Sequence, residues 1–339
     1  MATVINATTS NTPSTNDLSP EMKTYYAKRL LQYAEPNLVY NQFADKYPIP
    51  QGEGKTIQMR RYSTLPTLTS AITEGITPDG QALNVESITA TVDQYGGWVQ
   101  MTDLLKLAAI DNNLTQASKL LGAQAGRSKD ALTRDVVCAG TNVIFAPTWS
   151  GTTPTAITAR GSMNATSLLD VDLIFKAVAQ LEAMNTDPFS DGSFVGIIHP
   201  YAAYDLMRSS EWIEAHKYAD PEKIYKGEIG KVGNVRFVQS TQAKVWKSSA
   251  DNCPSYSDGG TKYYGVFATM IIGQHAYGAT EIEGGGLEMI IKQLGYGDDP
   301  LNQRSSAGWK MTHVAKRLSE DKMVRIEHLS AYSKTVSAN

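Results

Sequence analysis

The chain has 339 residues, of which 42% are hydrophobic and 19% charged, and its formal net charge is −3 at pH 7. That length buries a sizeable core and suits two folded units, while the slight negative charge excludes a chain-wide electrostatic grip on nucleic acid, which needs a basic footprint. No apolar run approaches the roughly 20 residues that cross a membrane, and the first residues lack the basic-then-apolar order of a signal peptide.

Met1 to Asp17 is rich in Thr, Ser and Asn and contains no Lys or Arg. It reads as an irregular arm, disordered when free and ordered only against a neighbour. Ser19-Pro20-Glu21 predicts a helix start, with a capping hydroxyl, proline at the first helical position and an acid near the positive end. Met22, Tyr25, Tyr26, Leu30 and Tyr33 form its apolar side, and Pro36 stops it.

Lys55 to Asp103 is the stretch around which the rest is organised. A short alternating strand runs from Thr56 to Tyr62 and a longer one from Val85 to Asp93. In the second, Ile88, Ala90 and Val92 face one way and Ser87, Thr89 and Thr91 the other. The connection is far longer than the about 2–5 residues of a usual hairpin. It carries Leu65, Leu68, Ile72, Ile76 and Leu83, too apolar for a free tail. A lone two-stranded arm is marginal in water, so this one is expected to lie on another copy of the chain. Leu65, Leu68, Ile72, Glu74, Ile76 and Leu83 are its predicted inter-subunit contacts.

Helical spacing begins at Leu104. Leu104, Leu105, Leu107 and Ala108 cluster, and a long helix is predicted from Asn113 to Ala139 on Leu114, Ala117, Leu120, Leu121, Ala125, Leu132, Val136 and Val137. Gly122 and Gly126 weaken it and permit close approach or a bend. Its polar Arg127-to-Arg134 turn is expected to face solvent or a neighbour. Ala146 to Ala165 is a loop or an irregular hairpin between the two units. Ser167 is expected to cap the next helix, whose buried side is Leu169, Val171, Leu173, Ile174, Val178 and Leu181.

Strands then alternate with helices: Phe194 to Ile198, a helix opened by His199-Pro200, then Val235 to Val238, Tyr264 to Ile272 and Leu287 to Ile291. This pattern is an α+β unit around a central sheet. Two last strands, Trp309 to Lys316 and Lys322 to Leu329, read as a hairpin through Ser319-Glu320-Asp321 that returns to the long-helix unit.

Signals for chemistry are weak. Gly52-Glu53-Gly54-Lys55-Thr56 resembles the end of a phosphate loop, but Ile49 stands where that motif needs glycine, so a turn is the better reading. Cys138 and Cys253 match no zinc spacing and no disulfide framework, and fit a reducing cytoplasm. No two of His199, His216, His275, His313 and His328 have helical metal spacing. His313 and His328 would meet across the terminal hairpin as a packed pair. Asp298 and Asp299 read as a solvated turn. No Gly-x-Ser-x-Gly elbow occurs. No catalytic residue, cofactor or metal is expected. The 17 Tyr suit protein interfaces as well as cores.

Leu65-Pro66-Thr67-Leu68, Thr73-Glu74-Gly75-Ile76-Thr77-Pro78 and Tyr95-Gly96-Gly97-Trp98-Val99 resemble the extended loop of tailed-bacteriophage major capsid proteins with the Hong Kong phage-type fold. Tyr25 to Leu31, Glu35-Pro36, Gly54-Lys55-Thr56 and the ending from Trp309-Lys310 to His328 are similar to the coat proteins of the N-four-like podophages. The resemblance implies an N-terminal arm and helix (1–50), an extended loop (51–105), a peripheral domain with spine helix and terminal β-hairpin (106–165 and 308–339) and an axial domain (166–307). It also implies self-assembly into hexamers and pentamers of an icosahedral shell around double-stranded DNA, bound without sequence specificity. The shell would form in the host cytoplasm and become part of the virion. Partners would be other copies, with separate scaffolding, portal and decoration proteins and no membrane. Some relatives weld the loop through a lysine; here no lysine lies between Thr56 and Leu105, so reinforcement would be non-covalent. A tail-tube or decoration subunit, or a cytoplasmic α+β enzyme with a regulatory loop, stays open on the residues alone.

Overall fold

A computed structural model describes residues 28, 30, 32–34, 38–62, 65–72, 74–77, 79–103, 113–209, 212, 230–258, 260–293 and 301–335. The predicted arm, the Ser19-Pro20 helix start, the Leu104–Ala108 cluster, His216 and the Asp298-Asp299 turn lie outside them. In chain order the main elements are β1 (Thr56–Tyr62), β2 (Val85–Thr91), β3 (Asp93–Thr102), α1 (Asn113–Val137), β4 (Val143–Phe145), α2 (Val171–Ala183), β5 (Phe194–Ile198), α3 (Pro200–Met207), β6 (Val235–Gln239), β7 (Val266–Ile272), β8 (Tyr277–Thr280), β9 (Glu288–Lys292), β10 (Arg304–Arg317) and β11 (Met323–His328).

The central sheet has the order β4-β11-β7-β5-β6, extended past β6 by Lys231–Val232. β5 shows why it reads as an unbroken apolar run: both of its faces are covered. Phe194 and Ile198 join the core under α2 and α3, while Val195 and Ile197 join the core on the other face, with Val137, Tyr40 and Tyr277. All six predicted apolar residues of α2 and its approach are buried. Its cap is Asp170 rather than Ser167: the Asp170 carboxylate accepts the Val171 N–H at 2.7 Å. Ser167 is buried instead, and its carbonyl accepts the Leu329 N–H.

The second sheet is built on β10. One edge of β10 pairs with β3 over ten positions, and the other pairs first with β9 and then with β8. β3 is a strand that the Gly96-Gly97 pair hides in the sequence, because isolated glycines weaken strands. Here they mark close approach. A Cβ on Gly97 would stand 3.1 Å from both Trp309 Nε1 and Gln124 Oε1, and one on Gly96 would stand 2.8 Å from the Trp309 carbonyl.

α1 lies across this sheet and packs Ala117, Leu121 and Ala125 against Met101, Ala307, Trp309 and Met311. Gly122 and Gly126 take the close approach expected of them. A Cβ on Gly126 would meet the Ala34 carbonyl oxygen at 2.5 Å, and one on Gly122 the Leu30 carbonyl at 2.8 Å. Gly126→Ala is therefore expected to destabilise. Helix propensity favours alanine by about 1 kcal/mol, but forcing backbone apart in a packed core costs about 1–3 kcal/mol. A urea midpoint at or above that of the unmodified chain would refute the close packing.

The polar turn of α1 points inward, contrary to expectation. Asp130 is fully buried and its carboxylate accepts the Tyr40 N–H at 2.7 Å and the Asn41 N–H at 3.4 Å. Thr133 meets His313 at 2.9 Å, Lys129 reaches Glu281 at 2.8 Å, and Arg134 donates to the Gln242 carbonyl. Polar residues face the core there because the 40–43 turn brings unpaired backbone donors that need acceptors.

The last two strands are not a hairpin. β10 belongs to the sheet under α1, whereas β11 enters the central sheet, antiparallel to β7 and parallel to β4. The buried faces of β11 require covers on both sides, which the central sheet supplies. His313 and His328 accordingly never meet: His313 bonds Thr133, and His328 bonds Thr269 at 2.9 Å. Glu327 on β11 is also fully buried and binds two guanidiniums, Arg160 at 2.6 and 2.7 Å and Arg325 at 2.9 Å. Arg325 donates in turn to the Cys138 and Gly140 carbonyls just beyond α1, and Arg160 stacks 3.7 Å over Trp246. This network fastens the end of α1 to the central sheet.

Candidate assembly surface

β1 and β2 form a ribbon with seven register pairs, from Thr56↔Thr91 to Tyr62↔Val85. At about 3.3 Å per residue it extends roughly 20 Å. Its root is held. Met59, Ala90 and Val92 are buried, and the Val92 N–H donates to the Lys55 carbonyl at 2.8 Å. The turn before β1 has Gly52 and Gly54 at φ of +93° and +89°, conformations that glycine adopts freely. Farther out, Arg61 pairs with Glu86 at 2.6 Å and donates to the Leu318 carbonyl at 3.3 Å, which ties the ribbon to the end of β10.

Beyond Tyr62 the contacts cease. Every predicted contact residue, Leu65, Leu68, Ile72, Glu74, Ile76 and Leu83, is exposed, with Leu68 at 77% and Ile72 at 74%. The loop carries five large apolar side chains, its only described charges are Glu74 and Asp79, and its described residues are all exposed. A large exposed apolar stretch of this kind marks an interaction site. The sequence missed a second exposed apolar position, Trp98 on the face of β3 turned away from α1. The Gly-Gly-Trp triplet was the available signal, but its position on a strand was hidden.

Among the described residues no group of three His, Cys, Asp or Glu is placed to hold a metal. Cys138 and Cys253 are buried thiols, and burial pushes Cys138 up to about 12. His275, at the surface, pairs with Asp45 at 2.8 Å.

A ribbon and loop, a long helix on a split sheet, and a sandwiched central sheet define the Hong Kong phage-type capsid fold. The structure is similar to the capsid structure of cyanophage P-SCSP1u, with a TM-score of 0.62, 17% identity, and coverage of 87% of this chain and 89% of that one. It is likewise similar to the capsid of Ralstonia phage GP4 (TM-score 0.59, 14% identity, 89% and 90% covered) and to the capsid of Helicobacter pylori bacteriophage KHP30 (TM-score 0.57, 13% identity, 84% and 87% covered). No curated protein matches the chain by sequence. A family model described as phage capsid protein matches residues 85–326, most of the chain. The chain belongs to that phage capsid protein family, and its role is that of a major capsid protein, a shell-forming component of the virion.

Proposed function

We propose that copies of this chain close into hexamers and pentamers of an icosahedral shell around double-stranded DNA, held together by the loop at 65–84. The observation that carries the reading is a ribbon fastened at its root whose tip exposes five large apolar side chains. Its role is structural: the work is burial of that loop on a neighbour, repeated over the shell. A net charge of −3 supports an inner wall without a strong electrostatic grip on the packaged DNA. Scaffolding, portal and decoration proteins are its further partners, and assembly takes place in the host cytoplasm. Within the family, the residues quoted above favour kinship with the N-four-like podophage coat proteins. The proposed division is arm and helix (1–50), loop (51–105), peripheral domain (106–165 with 308–339) and axial domain (166–307). The pairing of β11 with β7 supports assigning β11 to the axial domain.

The test is the double variant Leu68→Ser/Ile72→Ser. Each lost side chain forfeits about 2 kcal/mol of burial per subunit contact. The concentration needed for assembly, read by sedimentation velocity with negative-stain microscopy, should rise by at least about tenfold. Shells forming at the unmodified concentration would overturn the reading.

A further inference from the structure

Three Asp-Gly pairs occur in the sequence, Asp79-Gly80, Asp191-Gly192 and Asp258-Gly259. A glycine nitrogen has no Cβ beside it to shield it, so in such a pair it can attack the side-chain carboxyl of the residue before. The structure holds two of the pairs against that attack. The Asp191 carboxylate accepts the Ser193 N–H at 3.2 Å and pairs with Arg236 at 3.3 Å, while the Gly192 N–H donates to the Phe189 carbonyl at 2.8 Å. Asp258 follows the paired positions Ser257↔Thr261 of a short hairpin. Its carboxylate accepts from Lys262 at 2.8 Å, and its N–H donates to the Gly260 carbonyl at 3.1 Å.

Among the described residues nothing comparable holds Asp79-Gly80. Both residues are exposed, and neither makes a hydrogen bond or an ion pair there. A Cβ on Gly80 would meet no atom within 4 Å. The pair lies in the loop between Ile76 and Leu83, two of the large apolar side chains that the loop exposes.

We propose that Asp79-Gly80 is a site of spontaneous backbone rearrangement to isoaspartate in the unassembled subunit. The Gly80 nitrogen bonds to the Asp79 Cγ, and the amide hydrogen and the carboxyl hydroxyl leave together as water, which closes a succinimide ring. Water then adds to one of the two ring carbonyls. Addition at the main-chain carbonyl breaks its bond to the Gly80 nitrogen and leaves the chain running through Cγ as isoaspartate. Addition at Cγ restores aspartate. No oxidant, reductant or cofactor takes part, and the mass of the chain is unchanged. The product carries an extra methylene in the main chain between Ile76 and Leu83, so those two side chains lose their spacing. Rearranged subunits are therefore excluded from shells. That consequence rests on the loop-mediated assembly proposed above, whereas the rearrangement itself does not.

The experiment incubates the full unassembled chain near neutral pH, digests it, and locates isoaspartate by enzymatic methylation of isoaspartyl carboxylates and fragmentation mass spectrometry. Isoaspartate should accumulate at position 79 at least about tenfold faster than at 191 or 258, where charged hydrogen bonds must break before attack. In urea all three pairs lose those bonds and their rates should converge. No isoaspartate at position 79, a rate at 191 or 258 that equals or exceeds it, or a difference that persists in urea overturns the assignment. A partly rearranged pool is then allowed to assemble. Shells should be depleted in isoaspartate at position 79 relative to the subunits left in solution, and equal content in both overturns the exclusion. Normal assembly of the Leu68→Ser/Ile72→Ser chain would remove the loop-mediated reading and the exclusion with it, and would leave the rearrangement to stand on its rates.

Discussion

Acidification from pH 7 to pH 4 should remove about 6 kcal/mol of folding stability through four buried groups, His199, His313, His328 and Asp130. Three histidines are buried in the neutral form. His199 Nδ1 accepts the Tyr201 N–H at 3.1 Å and so caps α3, a bond that protonation would abolish. His328 is fully buried, between Thr269 and the Leu329 carbonyl, and its ring stacks with Phe267. His313 faces Thr133, whose hydroxyl also reaches the Lys129 carbonyl, and the Lys129 ammonium stands near. Burial is the main cause that lowers each of them from 6.5 to about 4, with Lys247, His199 and Lys129 adding repulsion at His199, His328 and His313 respectively.

Because the folded pKa lies below the unfolded value, the unfolded chain binds more protons between pH 6.5 and 4. Stability therefore falls as pH falls through that window. At about 1.4 kcal/mol per pKa unit, each histidine contributes about 3 kcal/mol. Asp130 acts in the opposite direction. Burial raises it from 3.8 to about 6, against the Tyr40 and Asn41 N–H bonds and the Arg134 charge. It returns about 3 kcal/mol as it takes up its proton on acidification, which leaves the net loss near 6. That is a large part of the roughly 5–15 kcal/mol that holds a domain together. Melting temperatures of the unassembled subunit at pH 7, 6, 5 and 4 are the check. They should drop steeply below pH 6, and a flat profile down to pH 5 would show that the three rings are not held neutral.

Replacing Glu327 with alanine should cost about 3–5 kcal/mol, the penalty for leaving buried charges without their partner. Two guanidiniums converge on this one carboxylate, and their side chains are only 16% and 11% exposed. Removing Glu327 leaves two repelling cations over Trp246, with Arg325 still drawn to the Cys138 and Gly140 carbonyls. The loss should appear as a lowered urea midpoint with an unchanged slope. Glu327→Gln keeps the shape and one acceptor but not the charge, and should fall between the two. An alanine variant within about 1 kcal/mol of the parent would mean that water already compensates the arginines.

The elements legible in the sequence were those whose pattern is local. α1 follows from helical spacing over seven turns, the ribbon from strict alternation in Ser87 to Val92, and β5 from an apolar run too short for a helix. The errors arose where distant chain decides. Gly96-Gly97 gives no strand signal of its own, and only Trp309, which fills the space that a side chain would need, explains the pair. Ser319-Glu320-Asp321 looks like a hairpin turn, yet β11 finds better-covered partners in β7 and β4. The Arg127-to-Arg134 turn looks solvated until the Tyr40 turn arrives to use Asp130. For the assembly surface, the loop's apolar residues were legible one by one. The exposed position of Trp98 was not, because the strands around it, β3, β9 and β10, are brought together from chain about 200 residues apart.

The junction of β2 with β3 has a mechanical consequence. Tension on the loop enters β3 at Asp93 and passes along a strand bonded to β10 at ten consecutive positions. A ladder loaded lengthwise shares the load among all its hydrogen bonds, whereas one pulled from its side opens a bond at a time. The loop would thus act as a tie rod bolted in shear to the longest beam of the subunit, with Arg61 and the Leu318 carbonyl as a second bolt at the same end of that beam. Outward strain in an assembled wall would stretch the wall before it peeled the loop from its owner.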